Sequence, residues 1–422
     1  MKKILIASIF ALAVLALAPR FIGATAEDKI RDLYLQANQH ANVNFEIVEY
    51  NRGWFSSDLK VELKFVSPGV PQSERFDFTV IHHMQHGPLL WKTAGLGVGL
   101  VDTVYGIELP PKAQADIQQY QNVMNATSRM SFDGSSQSTV KINPFSYDDE
   151  GTTIDVRSGE FESRLEMPAR LTLDGNWKGI TITDQDNSKV QLVDLSIQME
   201  QTSINGEFFG AKALFEGDMQ MVFENIHISG DNPVIIENFS TLSSNKFRDD
   251  VVDYSVVFGI DKLSAIGQEF SDVAYSISME SFSTEVILRM QEIMGENNSS
   301  DPTAILQNFQ ELLPKLIERN PVIKVDRFGM NTAAGKMESS VTISVAQEKY
   351  DANNPMSLMM AIDAVASGYA PESFFNDLGM VSEINSYVQQ NLLIRDGDQL
   401  RFNASFKDGQ VLLNGAAIPL GI

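Results

Sequence analysis

The stretch Leu59-Lys60-Val61-Glu62-Leu63-Lys64-Phe65 (LKVELKF) alternates apolar and charged residues without a break. Successive side chains of a strand point to opposite faces, so this segment predicts a strand with Leu59, Val61, Leu63 and Phe65 inward and Lys60, Glu62 and Lys64 in water. The same period-2 pattern recurs over 76–81, 190–197, 219–223, 251–258 and 341–345. Gly, Asn and Asp punctuate these runs at Asp174-Gly175-Asn176, Asn205-Gly206 and Ser229-Gly230-Asp231-Asn232, which read as hairpin turns. Near the end, 400–406, the turn 407–410, 411–413 and the turn Asn414-Gly415 repeat the theme.

Helical spacing is rarer. Ile30, Leu33, Tyr34 and Ala37 predict an amphipathic helix between Ala26 and about Val43, and proline-led segments predict helices over Pro111–Ala126, Pro302–Ile317, Pro355–Ala366 and Pro371–Leu393. Thr284–Met294 reads as a further helix. One-faced strands need a second sheet, a closed barrel or covering helices. The fold class is therefore α+β and β-dominated: a long curved antiparallel sheet with a few packing helices after an N-terminal signal or anchor helix, able to hold an apolar groove. The polar run 295–301 marks a boundary, giving a signal segment 1–23, a β-rich N-terminal lobe 27–294 and an α+β C-terminal lobe 302–422.

Across 422 residues, Lys+Arg number 32 against Asp+Glu 55, a net charge of -23 spread along the chain, so nucleic acid and anionic headgroups are repelled. The absence of cysteine excludes disulfides, thiolate zinc sites and cysteine nucleophiles. At the N-terminus, Lys2 and Lys3 precede an uncharged apolar run from Ile4 to Ala18. That is the form of a bacterial export signal, with the lysines inside and the body on the periplasmic side. The run through Ile22 approaches the ~20 residues that span a bilayer, and Arg20, Phe21 and Ile22 separate it from the small-x-small site Ala24-Thr25-Ala26. An uncleaved inner-membrane anchor is the expectation, with a soluble periplasmic body after cleavage as the alternative.

Val80-Ile81-His82-His83-Met84-Gln85-His86-Gly87-Pro88 holds three of the five histidines. On a strand, His82, Met84 and His86 share a face, but no Cys and no His-Glu-x-x-His accompany them, so hydrogen-bonded imidazoles at a strand end are expected and no metal. No Gly-x-Ser-x-Gly, Walker loop or Gly-x-Gly-x-x-Gly occurs. Gly95–Leu100 lacks the lysine and the context of a phosphate loop, and reads as an apolar strand or turn. Asp184–Ser188 lacks the glycine and the closing glutamate of a calcium loop, and reads as a hairpin turn. In Tyr50-Asn51-Arg52-Gly53-Trp54-Phe55-Ser56-Ser57, Gly53 suits a glycine-only bend before the strand at Leu59, while an Arg beside aromatics can hold a headgroup or a carboxylate. The candidate ligand-binding residues are thus Arg52, Trp54, Phe55 and His86. No catalytic residue, metal or cofactor is assigned.

The order Ala18-Pro19-Arg20-Phe21-Ile22-Gly23 with Glu27, then Tyr50-x-Arg52-Gly53-Trp54-Phe55-Ser56-Ser57, then His86-Gly87-Pro88-Leu89 resembles the YdgA family of Gram-negative envelope proteins. Leu312-Leu313 through Pro321, Thr332-x-x-Gly335 and Gly409 through Asn414-Gly415 extend the resemblance over nearly the whole chain. The resemblance implies an inner-membrane anchor with a periplasmic body and an uncharacterised domain, and it carries over no catalytic residue. The expected function is non-catalytic binding of lipid or another apolar ligand. A scaffold that recruits an envelope protein partner is the alternative, and a hydrolase or metalloprotein using His82, His83 or His86 ranks below both.

Overall fold

The segment 59–65 lies where its period puts it, in the second of two long strands, β1 (Val43–Arg52) and β2 (Ser56–Phe65), with Leu59 and Val61 fully buried. The computed structural model describes residues 18–32, 34, 35, 38, 43–65, 77–93, 95–108, 123–149, 151–205, 213–296, 311–354 and 356–418. Strands continue as β3 (Asp77–His86), β4 (Leu89–Leu90), β5 (Gly97–Val98), β6 (Val101–Glu108), β7 (Met124–Met130), β8 (Ser136–Ile142), β9 (Phe145–Asp149), β10 (Thr152–Val156) and β11 (Gly159–Glu166). Then come the long strands β12 (Arg170–Thr183), β13 (Lys189–Ser203), β14 (Phe215–Ile228), β15 (Val234–Arg248), β16 (Val251–Ala265) and β17 (Gln268–Ser283). The last are β18 (Val322–Thr332), β19 (Gly335–Val345), β20 (Ile362–Pro371), β21 (Ile394–Asp396), β22 (Gln399–Lys407), β23 (Gln410–Leu413) and β24 (Ala416–Ile418).

All but β4 and β5 join one 22-stranded sheet, and every pairing is antiparallel with a close neighbour in sequence. The ladder runs β1-β2-β3-β6-β7-β8-β11-β12 and onward in chain order to β20, then β22-β23-β24. β17 pairs directly with β18. The β-dominated reading holds, because hairpin follows hairpin along a chain whose polar turns are placed every strand length. The turn Asp184–Ser188 closes β12 to β13, with the Asn187 amide donating to the Asp184 carbonyl.

Several local expectations need correcting. Asp174-Gly175-Asn176 is no turn: it lies inside β12, where a Cβ on Gly175 would stand 2.1 Å from the Phe161 ring, so the glycine makes room for an aromatic across the ladder. Of the helix expected over Pro355–Ala366, only α4 (Ser357–Ala361) forms, in a chain whose earlier described helices are α1 (18–32), α2 (Thr284–Glu296) and α3 (311–317). Ile362–Ala366 is held as strand between β19 and β22, where pairing on both sides overrides the helical preference of alanine. Pro371–Leu393 divides into α5 (Glu372–Asp377) and α6 (Val381–Gln389), parted at Gly379 with φ 77. In the segment Pro111–Ala126, 111–122 lies outside the described residues and Met124–Ala126 opens β7. Residues 302–310, Leu33 and Ala37 also lie outside them, whereas α1 begins well before Ala26 and passes through Ala24-Thr25-Ala26 without interruption.

The long strands carry a transverse crease. Asp194 in β13, Asn238 in β15 and Asp272 in β17 all have φ between 50 and 53, a region in which Asn and Asp are among the few tolerated side chains. They sit at one level of the sheet, and each has a polar tether there: Lys178 to Asp194 at 2.6 Å, Asn238 to Asp261 at 2.8 Å and Arg327 to Asp272 at 2.5 Å. A left-handed residue in every second strand bends the ladder along a line.

Candidate functional site

The sequence-derived site residues gather around α1. The β1–β2 hairpin turns at Gly53, whose amide donates to the Ser56 carbonyl at 2.8 Å. Gly53 does not have positive φ, contrary to the expectation of a glycine-only bend; its lack of a Cβ matters because that atom would stand 3.0 Å from the Ser56 carbonyl oxygen. From this turn Arg52 reaches α1 and donates to Glu27 at 2.9 Å, while Arg20 lies 5.6 Å from the Trp54 ring centroid. Phe55 is 56% exposed, and its carbonyl accepts from the His86 amide at 2.8 Å.

His86 is buried and its Nε2 shares a hydrogen bond with Ser57 Oγ at 2.8 Å. Its Nδ1 edge faces Gly23 of α1 so closely that a Cβ there would stand 2.4 Å away. Burial pushes the imidazole below the ordinary histidine range, against the pull of the Trp54 and Pro19 carbonyls. Two positions along the same face, beyond Met84, His82 shares a hydrogen bond with Tyr34 Oη at 2.9 Å, and burial lowers it to about 4. Burial likewise raises the Tyr34 phenol. His83 points to the other face and contacts Asp58 at 2.6 Å. The histidines are thus divided between hydrogen-bond partners, and among the described residues no group of three His, Asp or Glu is placed to hold a metal.

Beneath α1 lies a core of buried residues, Leu59, Val61, Met84, Leu100 and Val101, with Ile22, Ile30 and Tyr34 of the N-terminal segment packed on them. The opposite face is covered by residues 89–93 and 95–98, where fully buried Asp102 accepts from the Lys92 and Thr93 amides and from Arg129 at 2.7 Å. Burial pushes the Asp102 carboxyl up, but Arg129 and Thr93 together hold it below the usual range. The sequence reading missed this ion pair; an aspartate between Val101 and Thr103 on a buried strand was the available signal.

From β7 onward the same sheet face loses that cover. Two rows of apolar side chains cross it in register, Phe161, Ile197, Met221, Phe258, Tyr275 and Phe328 in one, and Leu173, Met199, Met219, Val256, Ile277, Val325 and Val341 in the next, each interrupted at β15, by Thr241 and Ser243. Phe258 stacks on Tyr275 at 6.2 Å, and Tyr275 meets Phe328 edge-on at 6.1 Å. These side chains are half-buried against one another, and Phe258 and Phe328 remain 38% and 54% exposed. The reverse face carries Glu160, Glu162, Gln198, Glu200, Asp218 and Gln220.

The described helices pack at the margins of this apolar face, α2 against β17 and α4 and α5 against β20. At one margin a cavity of about 320 Å³ is lined by Leu214, Phe215, Phe247, Tyr254, Met279 and Phe282; at the other, one of about 240 Å³ is lined by Phe328, Met330, Met337, Phe375, Leu400 and Phe402. Backbone amides within the sheet are paired across the ladder, so the face offers a ligand contact area and few hydrogen bonds.

Comparison with known proteins gives two matches. A family model described as "Bacterial protein of unknown function (DUF945)" matches residues 1–421. "Protein YdgA" of Escherichia coli (strain K12) is 22% identical over 388 residues, covering 81% of this chain and 74% of that protein. No solved structure matches.

Proposed function

The chain belongs to the bacterial family of unknown function DUF945, of which no reaction is part of the description, and we propose that it is a non-catalytic envelope protein that binds lipid acyl chains along its apolar sheet face. The observation that supports this reading is the pair of half-exposed apolar rows that cross the sheet from β11 to β19. Contiguous apolar surface left in water costs free energy on the order of 25 cal/mol per Å², and large patches of this kind belong to binding surfaces. At ~4.8 Å between strands the path measures about 40 Å, more than twice the ~15 Å depth of one leaflet's hydrocarbon. Acyl chains fit such a face because they need contact area and no hydrogen bonds, whereas a peptide would leave its amides unpaired. The N-terminal apolar run supports an inner-membrane anchor with the body in the periplasm, which gives the face access to lipid.

The test is native mass spectrometry of the full chain extracted from membranes in mild detergent. Co-purifying lipid is expected, with its stoichiometry reduced in Phe328→Asp, which puts a charge at a position 54% exposed on this face. Lipid-free protein, or equal lipid in the variant, refutes the reading. The short terminal strand β24, whose Ala416–Ile418 are exposed, supports a second reading in which an envelope protein adds a strand at that edge; crosslinking in cells to one defined partner would favour it.

A further inference from the structure

The three sequence elements on which the resemblance rests, the segment at Arg20–Glu27, the turn at Arg52–Ser57 and the strand end at His86, lie far apart in the chain and meet at one place. Besides the His86–Ser57 and His86–Phe55 hydrogen bonds within the sheet, α1, which carries the first element, meets the other two there. Arg20 lies over Trp54, Glu27 takes Arg52, Gly23 abuts the His86 imidazole, and Ile22 packs on the buried core. Ala26, the residue after which a signal peptidase would cut, is 1% exposed and in mid-helix.

We propose that Arg52, Trp54 and His86 form a receptor for the chain's own N-terminal helix, and that residues 18–26 are retained in the mature protein instead of being removed at Ala24-Thr25-Ala26. Three physical points carry this. Glycine at 23 of α1 is required by the approach of the His86 imidazole from β3, a fit that has no purpose if the segment is discarded. Proteases bind substrate in extended form, and α1 keeps the site helical and docked. Removal up to Ala26 would take away Arg20, Ile22 and Gly23 and expose the apolar surface they cover. Because Ile22 packs on the core, the run left for the membrane is Ile4–Ala18 and no longer reaches Ile22, and only about four residues, ~6 Å of helix, separate the two. A retained helix therefore seats the β1–β3 end of the sheet at the membrane surface with no flexible linker, a consequence that rests on the anchoring reading above.

Intact mass of the full chain recovered from cells tests retention directly. A mass that includes residues 1–26 is expected, and a chain beginning at Glu27 overturns the proposal. Fractionation reads the anchor separately: an intact chain in the soluble fraction would refute the anchoring reading and leave the receptor standing. Limited trypsinolysis at Arg20 tests the receptor. Gly23→Leu, which drives a side chain into His86, is expected to speed that cleavage at least about ten-fold, since cutting follows the population of the opened state. If Gly23→Leu unfolds the body, Trp54→Ala, at a partly exposed ring, serves instead and is expected to speed it less. Unchanged cleavage in a folded variant overturns the receptor.

Discussion

Acidification should loosen this protein through His82 before its carboxylates titrate. The imidazole is 6% exposed, hydrogen-bonded to Tyr34 and lowered to about 4, against about 6.5 for an unfolded histidine. Between those values the unfolded chain binds a proton that the folded chain refuses, so stability falls as pH falls through this window and is fully present above it. A shift of this size is worth ~3 kcal/mol in total, of which about 2 kcal/mol is lost between about pH 7 and about pH 5. His86 is lowered as well and acts in the same direction. Asp102 and Glu338 are held below the usual carboxylate range and lose their contribution only at lower pH, which leaves the upper window to the imidazoles. The assay is urea unfolding of the full chain in non-ionic detergent, followed by tryptophan fluorescence at a series of pH values. His82→Gln keeps an acceptor for Tyr34 and removes the titration, so its midpoint should depend less on pH by the stated amount. Identical pH dependence in the two proteins would refute the reasoning.

Asp102→Asn should destabilise by about 3 kcal/mol, since it breaks a pair whose carboxylate is fully buried; a change below ~1 kcal/mol in the urea midpoint would show that the amides of residues 92 and 93 suffice. Arg52→Ala should cost less than ~1 kcal/mol in the same assay, because its ion pair with Glu27 is part-exposed. Its larger effect is expected on cleavage at Arg20, and a large global loss with no change there would contradict the receptor role.

The period-2 pattern was a reliable guide because it reports which side of a strand meets water, and that is decided residue by residue. Leu59 and Val61 could be placed inside from their neighbours alone, and His82, Met84 and His86 could be placed on one face. The polar loops at 184–188 and 229–232 were equally legible as turns. Gly175 was not, since a glycine between Asp and Asn reads as a turn unless the Phe161 ring across the ladder is known. Ala364–Ala366 failed for a related reason: alanine favours a helix until strands on both sides claim its amides.

The candidate site divides in the same way. By itself the sequence determined that Arg52, Trp54, Phe55 and His86 stand at a bend and a strand end, that a long antiparallel sheet with one apolar face would form, and that no motif of known chemistry is present. Only the tertiary structure decided that Arg52, Trp54 and His86 face Glu27, Arg20 and Gly23 of the N-terminal helix, and that the apolar face is dry under α1 and half-open beyond β7. Alternation fixes which face a side chain takes, but what covers that face depends on segments distant in the chain, and their approach is set by packing that no local pattern encodes.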